Sequence, residues 1–224
     1  MESTYGDRRH RPFDESVAEF TTAIADTFAR GGNVIIPTYA LERAQEILFS
    51  LRESVVGGRL PKSLQVFLDS PMAITATEIF GRHPESLKPE LGRLLGRGED
   101  PFQLVGLHLT RETGESMAIN RVTGGVVVMA GAGMCNGGRI LHHLRRHLSR
   151  PESSIIFVGF AAMGTLARRI IDGAADVRIM GEDVPVKARI HTINGFSAHA
   201  DQSELVSWAR KISDRKATFL VHGE

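Results

Sequence analysis

The 224 residues hold 42% hydrophobic and 24% charged positions, enough for one sizeable core or two small ones. With 27 basic against 26 acidic side chains the net charge is +1, so any nucleic-acid role has to rest on local patches, and the lone Cys135 excludes both a disulfide scaffold and a cysteine-rich zinc site. The polar start MESTYGDRRHRPFDES and the lack of an apolar run of spanning length read as neither a secretory leader nor a membrane span, so the expected location is cytoplasmic with no membrane partner.

DESVAEFTTAIADTFARGG sets Val17, Phe20, Ile24 and Phe28 at helical spacing and stops at Gly31 and Gly32. NVIIP reads as a short buried strand, LERAQEILFSLRES as a helix, QVFLD as a strand and MAITATEIFGRH as a helix. SLKPELGRLLGRGEDPF gives a short helix and a loop, after which the chain reads as irregular turns. VVVMAGAG is an apolar strand entering a glycine turn, NGGRILHHLRRHLSR a helix, SSIIFVGF a strand and TLARRIIDG a helix. VRIMGEDVPVKARIHTI carries a Gly-Glu-Asp turn between strand-like runs and predicts a hairpin; a helix in QSELVSWARKI and a strand in ATFLVHGE follow. Repeated strand and helix predict a three-layer α/β/α fold with NVIIP, QVFLD, VVVMA and SIIFVG side by side in a mostly parallel sheet.

In such a sheet ligands gather at the carboxyl ends of the strands. There stand Asp69 and Ser70 of DSPMA, the turn GAGMCNGGR with Gly133, Gly137, Gly138 and Arg139, and GFAAMGT. The glycine turn resembles a dinucleotide fingerprint, yet no acidic residue ends the next strand to hold a ribose hydroxyl; a Rossmann-like nucleotide site is the weaker alternative to a turn that offers N–H donors to phosphate. On the helix that follows, Arg139 is the cation expected to meet phosphate, and His143 and His147 have the spacing to share a metal but no acidic neighbour in sequence. In GFSAHADQ, Gly195, Ser197 and Ala198 let backbone donors approach a ligand beside the titratable His199, and Asp201 can cap the next helix.

Taken in order, ESTYGD, GGNVIIPTYALERAQEIL, LDSPMA, VVVMAGAGMCNGGRILHHL, FVGFAAMGTLARRI, GFSAHAD and FLVHGE resemble the β-CASP branch of the metallo-β-lactamase-fold nucleases across essentially the whole chain. That branch includes the pre-mRNA 3′-end endonuclease, RNase J, Artemis and prokaryotic RNA-processing homologues. The resemblance implies that Glu2 and His199 are catalytic, as the motif A carboxylate and motif B histidine beside the scissile phosphate. It also implies that His222 is the motif C metal ligand and that Ser197 and Ala198 hold the phosphate; Asp69, Ser70, Gly133, Gly137, Gly138 and Arg139 are the further residues expected to bind RNA phosphate. The implied reaction is metal-assisted phosphodiester hydrolysis with the leaving ribose oxygen protonated near His199.

The metal-binding His-x-His-x-Asp-His segment of that family does not occur in these residues. The resemblance therefore implies a β-CASP domain at residues 7–194 flanked by metallo-β-lactamase remnants at 1–6 and 195–224, with Met1 a true start, a truncation or a cloning boundary. Two zinc ions are expected in the complete protein and none tightly held by this chain, which alone is expected to be inactive. Expected partners are single-stranded RNA and the metallo-β-lactamase half, fused or in trans, with a homodimer left open. The competing reading is a non-catalytic RNA-binding or assembly module.

Overall fold

The computed structural model describes residues 1–223. α1 (Phe13–Ala29) turns Phe20, Ala23 and Ile24 inward and is stopped by Gly31, which sits at φ +72°, a left-handed conformation open to glycine. β1 (Val34–Pro37), α2 (Arg43–Val56), β2 (Gln65–Leu68) and α3 (Pro71–Arg82) follow, α3 starting where the Ser70 hydroxyl accepts from the Ala73 N–H at 3.3 Å. Next come α4 (Pro89–Gly96), β3 (Leu107–Leu109), α5 (Thr113–Ile119), β4 (Val126–Ala130), α6 (Ile140–His147), β5 (Ser154–Phe157) and α7 (Leu166–Ile171). The hairpin β6 (Asp176–Ile179) and β7 (Glu182–Pro185), then β8 (Arg189–Thr192) and α8 (Gln202–Arg210), complete the order.

Six strands form one sheet in the order β3-β2-β4-β1-β5-β8, and every pairing in it is parallel. The strand alternation of period two divides the central residues between two cores. Val34, Ile36, Val127, Met129 and Ile156 face α1, α2 and α3, while Ile35, Val128, Ala130, Ile155 and Phe157 face α6, α7 and the β6–β7 hairpin. Strands buried on both faces explain why their sequences are continuous apolar runs, and the three-layer parallel expectation holds.

Three segments depart from expectation. The stretch read as irregular turns contains β3 and α5. β3 is an edge strand of three residues with His108 and Leu109 exposed, so it carries no apolar run. α5 is seven residues long and is started by a Glu112–Glu115 capping box rather than by a Ser or Thr. The hairpin turns at Met180 and Gly181, with φ 52° and 86°, the primed geometry that suits right-twisted strands; β8 then leaves it to join the main sheet. ATFLVHGE is not a strand in its described residues: Val221 makes one isolated parallel bridge to Glu2, and Phe219, Leu220 and Val221 are exposed. A single bridge provides no ladder to hold extended chain.

Ile36 is fully buried in the central strand, so Ile36→Ala should destabilise the fold by about 2–5 kcal/mol. Chemical denaturation should show a lower midpoint with an unchanged slope.

Candidate active site

β8 runs into a short turn, Asn194–Phe196, pinned by Phe196, whose ring is fully buried against Phe13 and Phe20 at centroid distances of 5.6 and 5.5 Å. Gly195 is required there because a Cβ would lie 2.0 Å from the Ser16 hydroxyl oxygen on α1. Beyond the turn the Ser197 hydroxyl accepts from the His199 N–H at 3.2 Å. Asp201 caps α8, accepting from the Glu204 N–H at 3.0 Å and from the Ser203 hydroxyl at 2.6 Å, while Glu204 accepts from the Asp201 N–H at 3.0 Å. The same carboxylate accepts from the His10 N–H at 3.1 Å, and His10 Nε2 lies 2.8 Å from the His199 carbonyl. Donors from Ser203, Glu204 and His10 hold the Asp201 carboxyl well below the usual carboxylate range.

Asp201 thereby ties the first ten residues to the SAHAD loop, and those residues bring Glu2 to His199. Glu2 Oε2 lies 3.5 Å from His199 Nδ1 and accepts from the Thr4 N–H at 2.9 Å. Burial pushes the Glu2 carboxyl up, but hydrogen bonds from Thr4 and the nearby His199 outweigh it, and it titrates below its ordinary value. Thr4 Oγ1 donates to the His222 carbonyl at 2.8 Å and lies 2.9 Å from His222 Nδ1. The Thr4 hydroxyl thus meets both the backbone and the ring of His222 and holds the imidazole in place. His222 itself sits at φ +58°, a conformation rare for a non-glycine residue.

Glu2, His199 and His222 each offer a ligand atom, all within 4.8 Å of one another. Nitrogen and carboxylate donors of this kind suit zinc, and three of them fit one ion with open positions rather than a closed pair of ions. Beneath them the Tyr5 ring packs edge-on against His10 and Phe160, at 4.6 and 5.7 Å, and lies 6.4 Å from the His199 ring. Phe160 follows β5, so the cluster stands at the carboxyl edge of the sheet.

Ser197 and Ala198 are therefore beside His199. Asp69 belongs to a different constellation. It is fully buried, and its two oxygens receive Arg139 at 2.8 Å, Thr110 at 3.0 Å, Ser116 at 2.6 Å and His143 Nε2 at 2.6 Å. Burial pushes this carboxyl up, yet the hydrogen bonds from His143 and Ser116, the charge of His143 and the Arg139 contact hold it at about 2. Arg139 also donates to the carbonyls of Thr110 and Arg111, at 3.0 and 2.7 Å. The acidic partner of His143, missing from its sequence neighbourhood, is thus Asp69, 74 residues away. His147 is buried as well, and burial followed by the charge of Arg150 pushes its imidazole down to about 3, so it stays neutral. Ser70 is occupied as the cap of α3.

The glycine turn is bent for packing reasons. Gly138 sits at φ +82°, and a Cβ there would lie 2.4 Å from the Gly131 carbonyl oxygen, whereas Gly137 faces open space. Thr4, Tyr5 and His10 are the site-building residues that sequence reasoning missed. Their partners lie near the other end of the chain, so only the ESTYG motif as a block could have signalled them.

Residues 44–170, more than half of the chain, match the Beta-Casp domain model, and residues 183–224 match the Zn-dependent metallo-hydrolase RNA specificity domain. The chain belongs to the Beta-Casp family. Similar family members include Ribonuclease TTHA0252 of Thermus thermophilus, 45% identical over all of this chain and 50% of that protein. Transcription termination factor FttA of Pyrococcus horikoshii is 33% identical, over all of this chain and 35% of its own length. An RNase J-like protein of Methanocaldococcus jannaschii is 30% identical, over all of this chain and 51% of its own length. The chain thus spans between about a third and about half of the curated relatives it matches. Among the described residues no helix is long and apolar enough to cross a membrane.

The Asp69 carboxyl titrates at about 2 in the fold against 3.8 ordinarily, so its contribution, about 2 kcal/mol, is present above pH 3.8 and is lost as pH falls through about 2. Asp69→Asn should remove that acid-side loss and, at neutral pH, cost about 3–5 kcal/mol by stranding Arg139 and His143. Urea midpoints measured from pH 7 to pH 2 for both proteins check this.

Proposed function

We propose that this chain is the substrate-clamping portion of a zinc-dependent ribonuclease that hydrolyses phosphodiester bonds in single-stranded RNA. The observation that carries the reading is the convergence of Glu2, His199 and His222 within 4.8 Å, beside a loop whose small residues leave room for a phosphate. The names of the relatives, a ribonuclease and an RNase J-like protein, support it. In this reading residues 7–194 are the clamp, and residues 1–6 and 195–224 belong to the metal-bearing unit.

His222, held in place by Thr4, would be a zinc ligand together with donors of the metallo-β-lactamase half. Zinc, when bound, supplies Lewis-acid polarisation of the phosphate and a nucleophile usable at neutral pH. His199 would pass a proton to the leaving ribose oxygen, and Glu2 orients it from 3.5 Å. The Ser197 hydroxyl and the Ala198 N–H, next to His199 in the chain, would hold a phosphate oxygen. Alone, His222 offers too few ligand atoms to hold zinc firmly, and activity belongs to the protein that contains both halves.

A second reading, an assembly module, draws support from the exposed apolar side chains of Trp208, Phe219, Leu220 and Val221. Zinc content and cleavage separate the two. With the metallo-β-lactamase half joined to this chain, fused or in trans, His222→Ala should lower both zinc occupancy and rate. His199→Ala should keep zinc and slow single-turnover cleavage by about 10²–10⁴-fold. Loss of zinc in His199→Ala, or normal cleavage, would overturn its role. RNA binding by the chain alone should weaken with salt at a log–log slope of about 0.7 per phosphate contact, and binding indifferent to salt would remove the phosphate track.

A further inference from the structure

We propose that Tyr39 is a stacking platform for an RNA base adjoining the phosphate held at His199. The inference rests on the ribonuclease reading above and adds to it a base-binding position on this chain's own surface.

Tyr39 lies two residues beyond the end of β1, the strand between β4 and β5. From β1 the chain crosses to β2 on one side, and from β4 it crosses to β5 on the other, so the loops after β1, β4 and β5 diverge around a crevice of the kind that takes ligands in open α/β sheets. One side of the Tyr39 ring rests on the glycine turn: a Cβ at Gly133 would fall 2.8 to 3.0 Å from its Cδ2, Cε2 and Cζ atoms. Gly133 is therefore the residue that lets the ring lie against backbone, while the side chain remains 43% exposed.

The cleft under the ring is lined by Tyr39, Arg43, Gly133 and Phe160 and holds only about 10 Å³, room for one water. A base cannot enter it and has to lie on the ring. Arg43, ion-paired with Glu46, lines the same cleft as the ring. Phe160 lines this cleft together with Tyr39 and packs on Tyr5 at 5.7 Å, and the Tyr5 ring lies 6.4 Å from the His199 ring, so the cleft beside the exposed ring leads through Phe160 and Tyr5 toward the histidine. An exposed aromatic face beside a phosphate site is how single strands are bound without reading their sequence.

The test is a binding cycle by fluorescence anisotropy, at low salt, on the chain as it stands. The probes are a labelled single-stranded RNA and a set of the same RNA with one abasic nucleotide at each position in turn. Tyr39→Ala should bind intact RNA about 5- to 100-fold more weakly than wild type, and Tyr39→Phe should bind as wild type. One abasic position should weaken wild type by a comparable factor and leave Tyr39→Ala unaffected. Wild-type-like binding by Tyr39→Ala, or a loss equal on every abasic RNA, overturns the stacking role. If wild type binds with the expected salt dependence and no abasic position couples to Tyr39, only this inference fails; if wild type binds no RNA, the ribonuclease reading fails with it.

Discussion

A carboxylate with no access to water has to be met by donors, and Asp69 is met by four side chains from three segments of the chain. Thr110 follows β3, Ser116 is on α5, and Arg139 and His143 stand at the start and middle of α6. An ionised group buried at the end of β2 would be prohibitively costly without them, so the carboxylate dictates where those elements sit. Through α6 it fixes the glycine turn, and through Gly133 the turn fixes the height of Tyr39 above the sheet edge. A polar residue inside the fold thereby sets the geometry of the surface on which RNA is expected to lie.

The second dependence runs through Asp201. As a helix cap it would be an ordinary local device, but its carboxylate also accepts from His10, and this couples the α8 terminus to the segment that carries Glu2, Thr4 and Tyr5. The two ends of the chain meet through the Glu2–Val221 and Tyr5–Asp201 bridges, Thr4 against His222, His10 against Asp201 and the His199 carbonyl, Met1 against Phe219, and Gln202 against Gly6 and Arg8. Several of these contacts hold a residue of the candidate site. Packing of the large cores lies elsewhere, on the two faces of the sheet.

That separation explains what was legible in the sequence. NVIIP, VVVMA and SIIFV announce themselves because a strand buried on both faces must be apolar throughout, and GFSAHADQ because capping chemistry is local. β3 was not legible: an edge strand of three residues, half of its pairing exposed, needs no distinguishing composition. Asp69 and Arg139 were legible as unusual but not as partners, because a hydrogen bond across 70 residues leaves no periodicity to read. Thr4 and Tyr5 fall under the same limit. Nothing in ESTYG by itself says that a threonine hydroxyl will span to a histidine 218 residues later.

This spacing has a consequence for the order of assembly. Closing a free loop between Thr4 and His199, 195 residues apart, costs about 5 kcal/mol in chain entropy beyond a constant, more than a few exposed contacts return. Once β8 has docked on β5 and Phe196 on α1, the ends are already neighbours and the remaining closure involves only short segments. The geometry of the candidate site is thus slaved to the completed sheet: with no strand ladder and no large core of its own, it is carried by contacts that only the finished scaffold brings together.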